Sequence, residues 1–300
     1  MPCITQYYGI LEPVPFEDVS VEVDNKIFID PHAIRLSGYQ PFAGQAQNRM
    51  TSFFDAVLRS ITSPAGSSAY RAGEPLLQRF SEPRETRLGM ARGGSDGHGA
   101  AEILGSAIWA SMTTDLRALV EVAMLRHLEH LSMFVPGIDR DITSDITTRI
   151  IYDVLAEFTA TMVNRYPQFH SAGHRLVTRD YQVWDPAVQA WTERPLELPV
   201  ADGKPLLLVP RGWARPRLLM SAGRYYDTSV LTFAQDEQAV LLQDKLVKTP
   251  KDRLKQQPEL ARGRATNARV TLRAQTRDND LVGIFTQFVN DRYDPPSLAA

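Results

Sequence analysis

The sequence predicts an α+β fold: a helical layer packed on a mostly antiparallel sheet, followed by a basic helical C-terminal appendage. Three observations predict it. Residues 100–165 repeat apolar side chains at helical spacing. Residues 175–211 are strand-like, with Asp202-Gly203 as a hairpin turn. Beyond Gly223 the composition returns to helix formers, and residues 245–277 carry ten Lys/Arg against two acids, Asp252 and Glu259.

VSVEV (19–23) and KIFID (26–30) are rich in β-branched and aromatic residues. They flank Asp24-Asn25, which predicts a β-hairpin ending at Asp30-Pro31. Phe53, Phe54, Val57, Leu58 and Ile61 predict a helix over 50–61. Residues 63–75 and 81–99 read as loops from their Gly, Pro and Ser content. Three apolar stripes follow. The first is Ile103, Leu104, Ala107, Ile108 and Met112. The second is Leu116, Leu119, Val120, Ala123, His127 and Leu131, with Thr114 as N-cap. The third is Ile146, Ile150, Val154, Phe158 and Met162, one helix over 145–165 that ends before Pro167. Pro136-Gly137 separates the second from the third. Residues 175–184, 189–200 and 204–213 predict three strands, whose prolines make them short or place them at sheet edges. Residues 230–247 predict a helix, and 281–293 a last amphipathic one. The expected division is a main domain over 1–235 and a basic helical region over 236–300.

A chain of 300 residues, 43% of them hydrophobic and 23% charged, can bury a substantial core. Cys3 is the only cysteine, which excludes an intrachain disulfide and a cysteine-based metal cluster. No basic region followed by an apolar core opens the sequence, so no signal peptide is expected. The apolar runs are too short to cross a bilayer. A cytoplasmic protein with no membrane partner is the expectation. Residues 245–277 have a local net charge of 10 − 2 = +8, so the remainder sums to −2 − 8 = −10. A basic block on an acidic body points to an anionic partner, DNA or RNA first and a protein surface second.

The pieces KIFIDP (26–31), SEPRETRLGMARGG (81–94) and GIDRDITSDITTRIIYDVLAEFT (137–159) resemble those of a bacterial protein family with no established activity. The resemblance covers roughly the first two thirds of the chain. It implies a bacterial cytosolic protein and brings no catalytic residues.

Several groups of residues are candidates for chemistry. Asp139, Asp141 and Asp145 precede or begin a helix. Such a cluster can hold Mg²⁺, and it can equally cap the helix, an effect of about 0.5–2 kcal/mol. Arg84, Arg87 and Arg92 precede Gly93, Gly94, Gly97 and Gly99, a pattern able to cradle phosphate but lacking the P-loop ending. His127 with His130, and His170 with His174, offer four imidazoles for zinc, without an HExxH pattern. Trp184, Trp191 and Trp213 can stack bases or fill a core. The order helix, three strands, helix is similar to the core of PD-(D/E)XK nucleases. That resemblance makes Asp145, Asp185, Glu193, Glu197 and Lys204 its available site residues, yet the Glu-x-Lys spacing is missing.

The expected function is action on nucleic acid, most concretely as a metal-dependent nuclease of a bacterial defence or DNA-processing system. Asp141, Asp145 and Asp185 would be its catalytic metal carboxylates, with Mg²⁺ activating water. Lys251, Arg253, Lys255, Arg262 and Arg264, together with the three arginines of the Gly-rich stretch, would hold the phosphate backbone. The alternative is a non-enzymatic nucleic-acid-binding or complex-forming subunit.

Overall fold

The computed structural model describes residues 1–90, 98–171 and 173–295. The fold is α+β, with helices in the majority and every named strand pair antiparallel. The strands are β1 (Phe28–Ile29), β2 (Leu176–Asp185), β3 (Ala190–Ala201), β4 (Lys204–Pro205), β5 (Ala214–Arg215), β6 (Val240–Leu242) and β7 (Lys245–Val247). They form three small sheets: β1 with β5, β2 with β3 and β4, and β6 with β7.

The long hairpin β2–β3 packs on the helices Phe42–Thr62 and Tyr152–Arg165. Trp184 meets the edge of Phe53 at 5.0 Å between ring centres, and Tyr152 stacks on Tyr181 at the same distance. Tyr39 and Phe42 present their rings edge-on to Phe158, at 5.6 and 5.4 Å. The core is thus rich in aromatic contacts of favourable geometry. The helix His98–Thr113 lies so close to its neighbour that a Cβ on Gly105 would sit 2.4 Å from the Leu77 carbonyl oxygen. Only glycine allows that approach. The C-terminal helices Arg264–Gln275 and Leu281–Asn290 bury Val270 and Phe285 in the same core as Phe134 and Tyr225.

The KIFIDP segment acts as a cap. Asp30 accepts the N–H groups of His32 at 2.9 Å and of Ala33, and Pro31 occupies the first helical turn. Its second oxygen accepts the Leu219 N–H at 2.7 Å, tying this turn to a segment far along the chain. Such a cap is worth about 0.5–2 kcal/mol.

Three local expectations are corrected. No hairpin forms over 19–30. Asn25 spends its side chain on the Ser20 N–H and on the carbonyls of Ser20, Val23 and Arg87, which closes a loop, and β1 pairs with β5 instead. The second helical stripe breaks: Ala123 takes φ 55°, and the N–H groups of Met124 and Leu125 both return to the Leu119 carbonyl. That is a helix stop of the left-handed type, set without glycine. The segment over 145–165 is two helices, Arg140–Ile150 and Tyr152–Arg165, meeting at Ile151.

The first of those two helices is polar in sequence yet almost wholly buried. Thr143, Thr147 and Thr148 donate their hydroxyls to carbonyls four residues back, at 2.6–2.7 Å. Ser144 accepts the Ile29 N–H at 2.9 Å. Satisfied hydroxyls are what let such a helix leave water without a large desolvation cost.

Candidate functional site

Asp139 is the N-cap of the helix Arg140–Ile150, accepting the Ile142 N–H at 2.9 Å. Asp141 is buried and accepts the Met90 N–H at 3.1 Å. Its carboxylate lies 2.9 Å from where a Cβ on Gly89 would be, and Gly89 has φ 114°, so glycine is required there twice over. Asp145, one turn on, is half-buried. Asp185 stands at the end of β2. It accepts the Ala187 N–H at 2.9 Å and pairs with Arg194 at 2.8 Å. The backbone N–H of Ala187 and then the Arg194 guanidinium hold its carboxyl below the usual range. Among the described residues no three of His, Cys, Asp and Glu come together as a metal-holding group. The expected triad Asp141, Asp145 and Asp185 is not gathered into such a group: Asp141 and Asp145 lie one turn apart on one helix and Asp185 stands on β2. Asp139 and Asp141 hold backbone, and Asp185 closes a strand turn.

The arginines of the Gly-rich stretch divide. Arg84 is exposed and lies 3.6 Å from Glu82. Arg87 is buried, donating to the carbonyls of Val21, Arg84, Ala201 and Lys204. It fastens its own turn to two distant segments, at Val21 and at 201–204, and has no face left for phosphate. Arg92 lies outside the described residues, as do Gly93, Gly94 and Gly97.

The basic block is largely occupied. Arg262 pairs with Asp227, and Lys255 with Asp252 and Asp227. Lys248 pairs with Asp236, and Arg273 and Arg277 share Glu237. Lys251 donates to the Asp227 carbonyl and the Thr232 hydroxyl. Arg264 is half-buried on the carbonyls of Ser132 and Ile138, and Arg269 reaches the Glu259 carbonyl. Within the block, only Lys245 and Arg253 have no such side-chain partner among the described residues. The stripe expected to be freely solvated is thus largely engaged with carboxylates and carbonyls of the chain itself. The acids that neutralise it sit on 227–237, before the block in sequence and against it in space.

The histidines and tryptophans also find other work. His127 and His130 lie 5.3 Å apart, while His174 packs on Tyr8 at 4.6 Å, so the four imidazoles do not form a zinc quartet. Trp184 and Trp213 are fully buried, and Trp191 donates its indole N–H to the Leu76 carbonyl at 2.9 Å.

A buried polar network was not legible as such. Glu129 is buried, accepting from Arg35 at 2.6 Å and lying 3.4 Å from the His32 ring. The other ring nitrogen of His32 lies 2.8 Å from the Asn290 side-chain oxygen. Two acceptors on one ring favour its protonated form. Burial, the largest single influence, opposes a charge on His32, but the hydrogen bond and charge of Glu129, the Asn290 hydrogen bond and the Asp30 charge together outweigh it and raise the ring above its ordinary value. Burial likewise opposes the Glu129 charge, and His32, Arg35, His130 and His127 together overcome it, holding the carboxyl well below its ordinary range. His130 is beside the same carboxylate in the opposite state. Burial pushes it down to about 3, and its Nδ1 accepts the Arg126 N–H at 3.2 Å. A cavity of about 210 Å³ opens next to it, lined by His127, His130, Asp280 and Gln287. The signal that could have found this network is the HLEH run, two histidines bracketing an acid.

The least expected feature is at 240–247. The helix expected over 230–247 stops with Leu231–Glu237, and β6 and β7 form a two-stranded hairpin. Gln243 and Asp244 both have positive φ, 48° and 59°, the backbone of a two-residue type I′ turn. Val240, Leu241, Leu242, Leu246 and Val247 are each 45–68% exposed, which gathers in eight residues apolar surface that elsewhere is scattered singly. A mostly apolar groove of about 310 Å³, lined by Leu116, Phe134, Pro136 and Leu272 with Asp115 and Arg269, opens along the helix Arg264–Gln275.

These features define an α+β protein in which, among the described residues, the candidate catalytic carboxylates form no metal-holding group and the longest run of exposed aliphatic side chains lies on a β-hairpin. Residues 10–221 match the family described as Domain of unknown function (DUF8370), and the chain belongs to that family. The hairpin lies beyond the matched residues. No curated protein and no solved structure matches the chain. No described helix is long and apolar enough to cross a membrane.

Proposed function

We propose that the chain is a non-enzymatic, complex-forming subunit that engages a protein partner through the hairpin 240–247. The observation that carries this reading is the run of five exposed aliphatic side chains on a two-stranded arm. An isolated two-stranded hairpin is at best marginally stable in water, so an apolar one gains from being covered. A partner protein covers it by apolar burial, at about 25 cal/mol per Å² removed from water. Nucleic acid offers charge, and the arm offers almost none: Asp244 and Lys245 are its only charged residues.

The test is the size of the particle that holds the chain in native cell extract. The wild-type chain is expected to sediment well above a single chain. The double variant Leu241→Ser, Leu246→Ser is expected to fall to the mass of a single chain with its thermal unfolding unchanged. A wild type that sediments as a single chain overturns the reading. So does Mg²⁺-dependent cleavage by the purified chain, or oligonucleotide binding whose log affinity falls with log salt by ~0.7–0.9 per contact; either restores nucleic acid as the partner.

A further inference from the structure

We infer that the partner covering the hairpin is a second copy of this chain, joined by β6 pairing with its own two-fold mate about Leu241. The inference rests on the complex-forming reading and names the occupant. It follows from the register of the arm. The two-residue turn makes Leu242–Lys245 the closing, hydrogen-bonded pair, so Leu241–Leu246 is the next, non-hydrogen-bonded pair. At such a pair the backbone N–H and C=O groups point away from the partner strand. Leu241 therefore presents both groups at the open edge of β6, where the sheet has no third strand.

Two such edges fit each other. Antiparallel pairing about Leu241 gives two reciprocal N–H···O=C bonds between Leu241 and its copy, and sets Val240 against Leu242 on each side. Every cross-strand pair is then aliphatic, and no like charges meet. Edges exposed to water are ordinarily guarded by lysine, proline or a bulge. β7 carries Lys245, and β6 carries none of these. Both faces of the arm are apolar: Leu241 and Leu246 on one, Val240, Leu242 and Val247 on the other. A strand that joins it must be apolar on both faces too, and this chain supplies one in β6 itself. The whole-chain net charge of −2 opposes self-association only weakly. The product is a four-stranded sheet, β7–β6–β6–β7, with an isologous two-fold axis.

The experiment uses the purified full chain in sedimentation equilibrium over a range of concentrations. A concentration-dependent dimer is expected. Leu241→Pro removes the donated N–H at a position where the hairpin itself does not use it, and should weaken the dimer about tenfold or more while the monomer stays folded. In a Cys3→Ser background, Leu241→Cys is expected to oxidise to a covalent dimer, because paired residues across such strands lie within disulfide reach. Leu246→Cys, exposed to a similar degree but on the other strand, is expected to remain a monomer. A chain that is monomeric throughout, with no covalent dimer at position 241, overturns the second-copy proposal. If the same chain still runs as a large particle in extract, the complex-forming reading survives with a different partner. A dimer that Leu241→Pro leaves intact, or that position 246 locks as readily as 241, places the interface elsewhere and overturns it as well.

Discussion

Glu129→Ala is expected to destabilise the fold by about 3–5 kcal/mol, because it breaks a buried ion pair by removing one partner. Arg35 and His32 would then face each other without the carboxylate that lies between them. The loss should depend on pH, and the sign follows from the two shifts. Glu129 is held below its ordinary value of 4.5, so its contribution is present above that value and is lost as pH falls through the folded one. His32 is raised above 6.5, so its contribution is present below 6.5 and is lost as pH rises through its folded value. The gap between wild type and variant should be widest between pH 4.5 and 6.5 and narrow on both sides. Urea unfolding midpoints across that range measure it. A gap that is flat with pH would mean that the network stabilises by packing alone.

Phe158→Ala is expected to cost about 3–5 kcal/mol through lost transfer energy and the cavity left behind. Phe158 is wholly buried in the helix Tyr152–Arg165, and two rings from other segments pack edge-on against it. Those contacts add about 0.5–1.5 kcal/mol each beyond area. Urea denaturation with an unchanged slope and a lowered midpoint is the expected result. An unchanged midpoint would remove Phe158 from the core.

Most of the helical core is visible in local pattern. The stripe through Ile146, Ile150, Val154 and Phe158 names buried residues correctly even though the helix is cut at Ile151. A one-residue break barely rotates the apolar face, so periodicity survives it. The Asp202-Gly203 turn likewise marks the junction of β3 and β4, since positive φ there is a property of the turn itself. The hairpin over 19–30 fails for the opposite reason. Its strand-like residues are buried by neighbours far away in sequence, and no local rule reports that Asn25 will bond to Arg87.

Charge shows the same limit. The +8 block looks free because its partners, Asp227, Asp236 and Glu237, precede it in the sequence and are counted in the acidic body. The pairs to Asp227 and Asp236 are exposed on both sides, so each contributes only about 0–1 kcal/mol. They still occupy the cations that the nucleic-acid reading had relied on.

The sequence alone determined the α+β class, the apolar faces of the helices, the single cysteine and the family resemblance, because each depends on residues close together in the chain. Tertiary structure alone decided three other things: that Asp185 does not join Asp141 and Asp145 in one metal-holding group, that His32, Arg35 and Glu129 meet, and that residues 240–247 leave the helix as an uncovered arm. Each turns on which distant segments come within bonding distance. In the last case the aliphatic run 240–242 fits a helix or a strand equally well, and the left-handed turn at Gln243-Asp244 settles it.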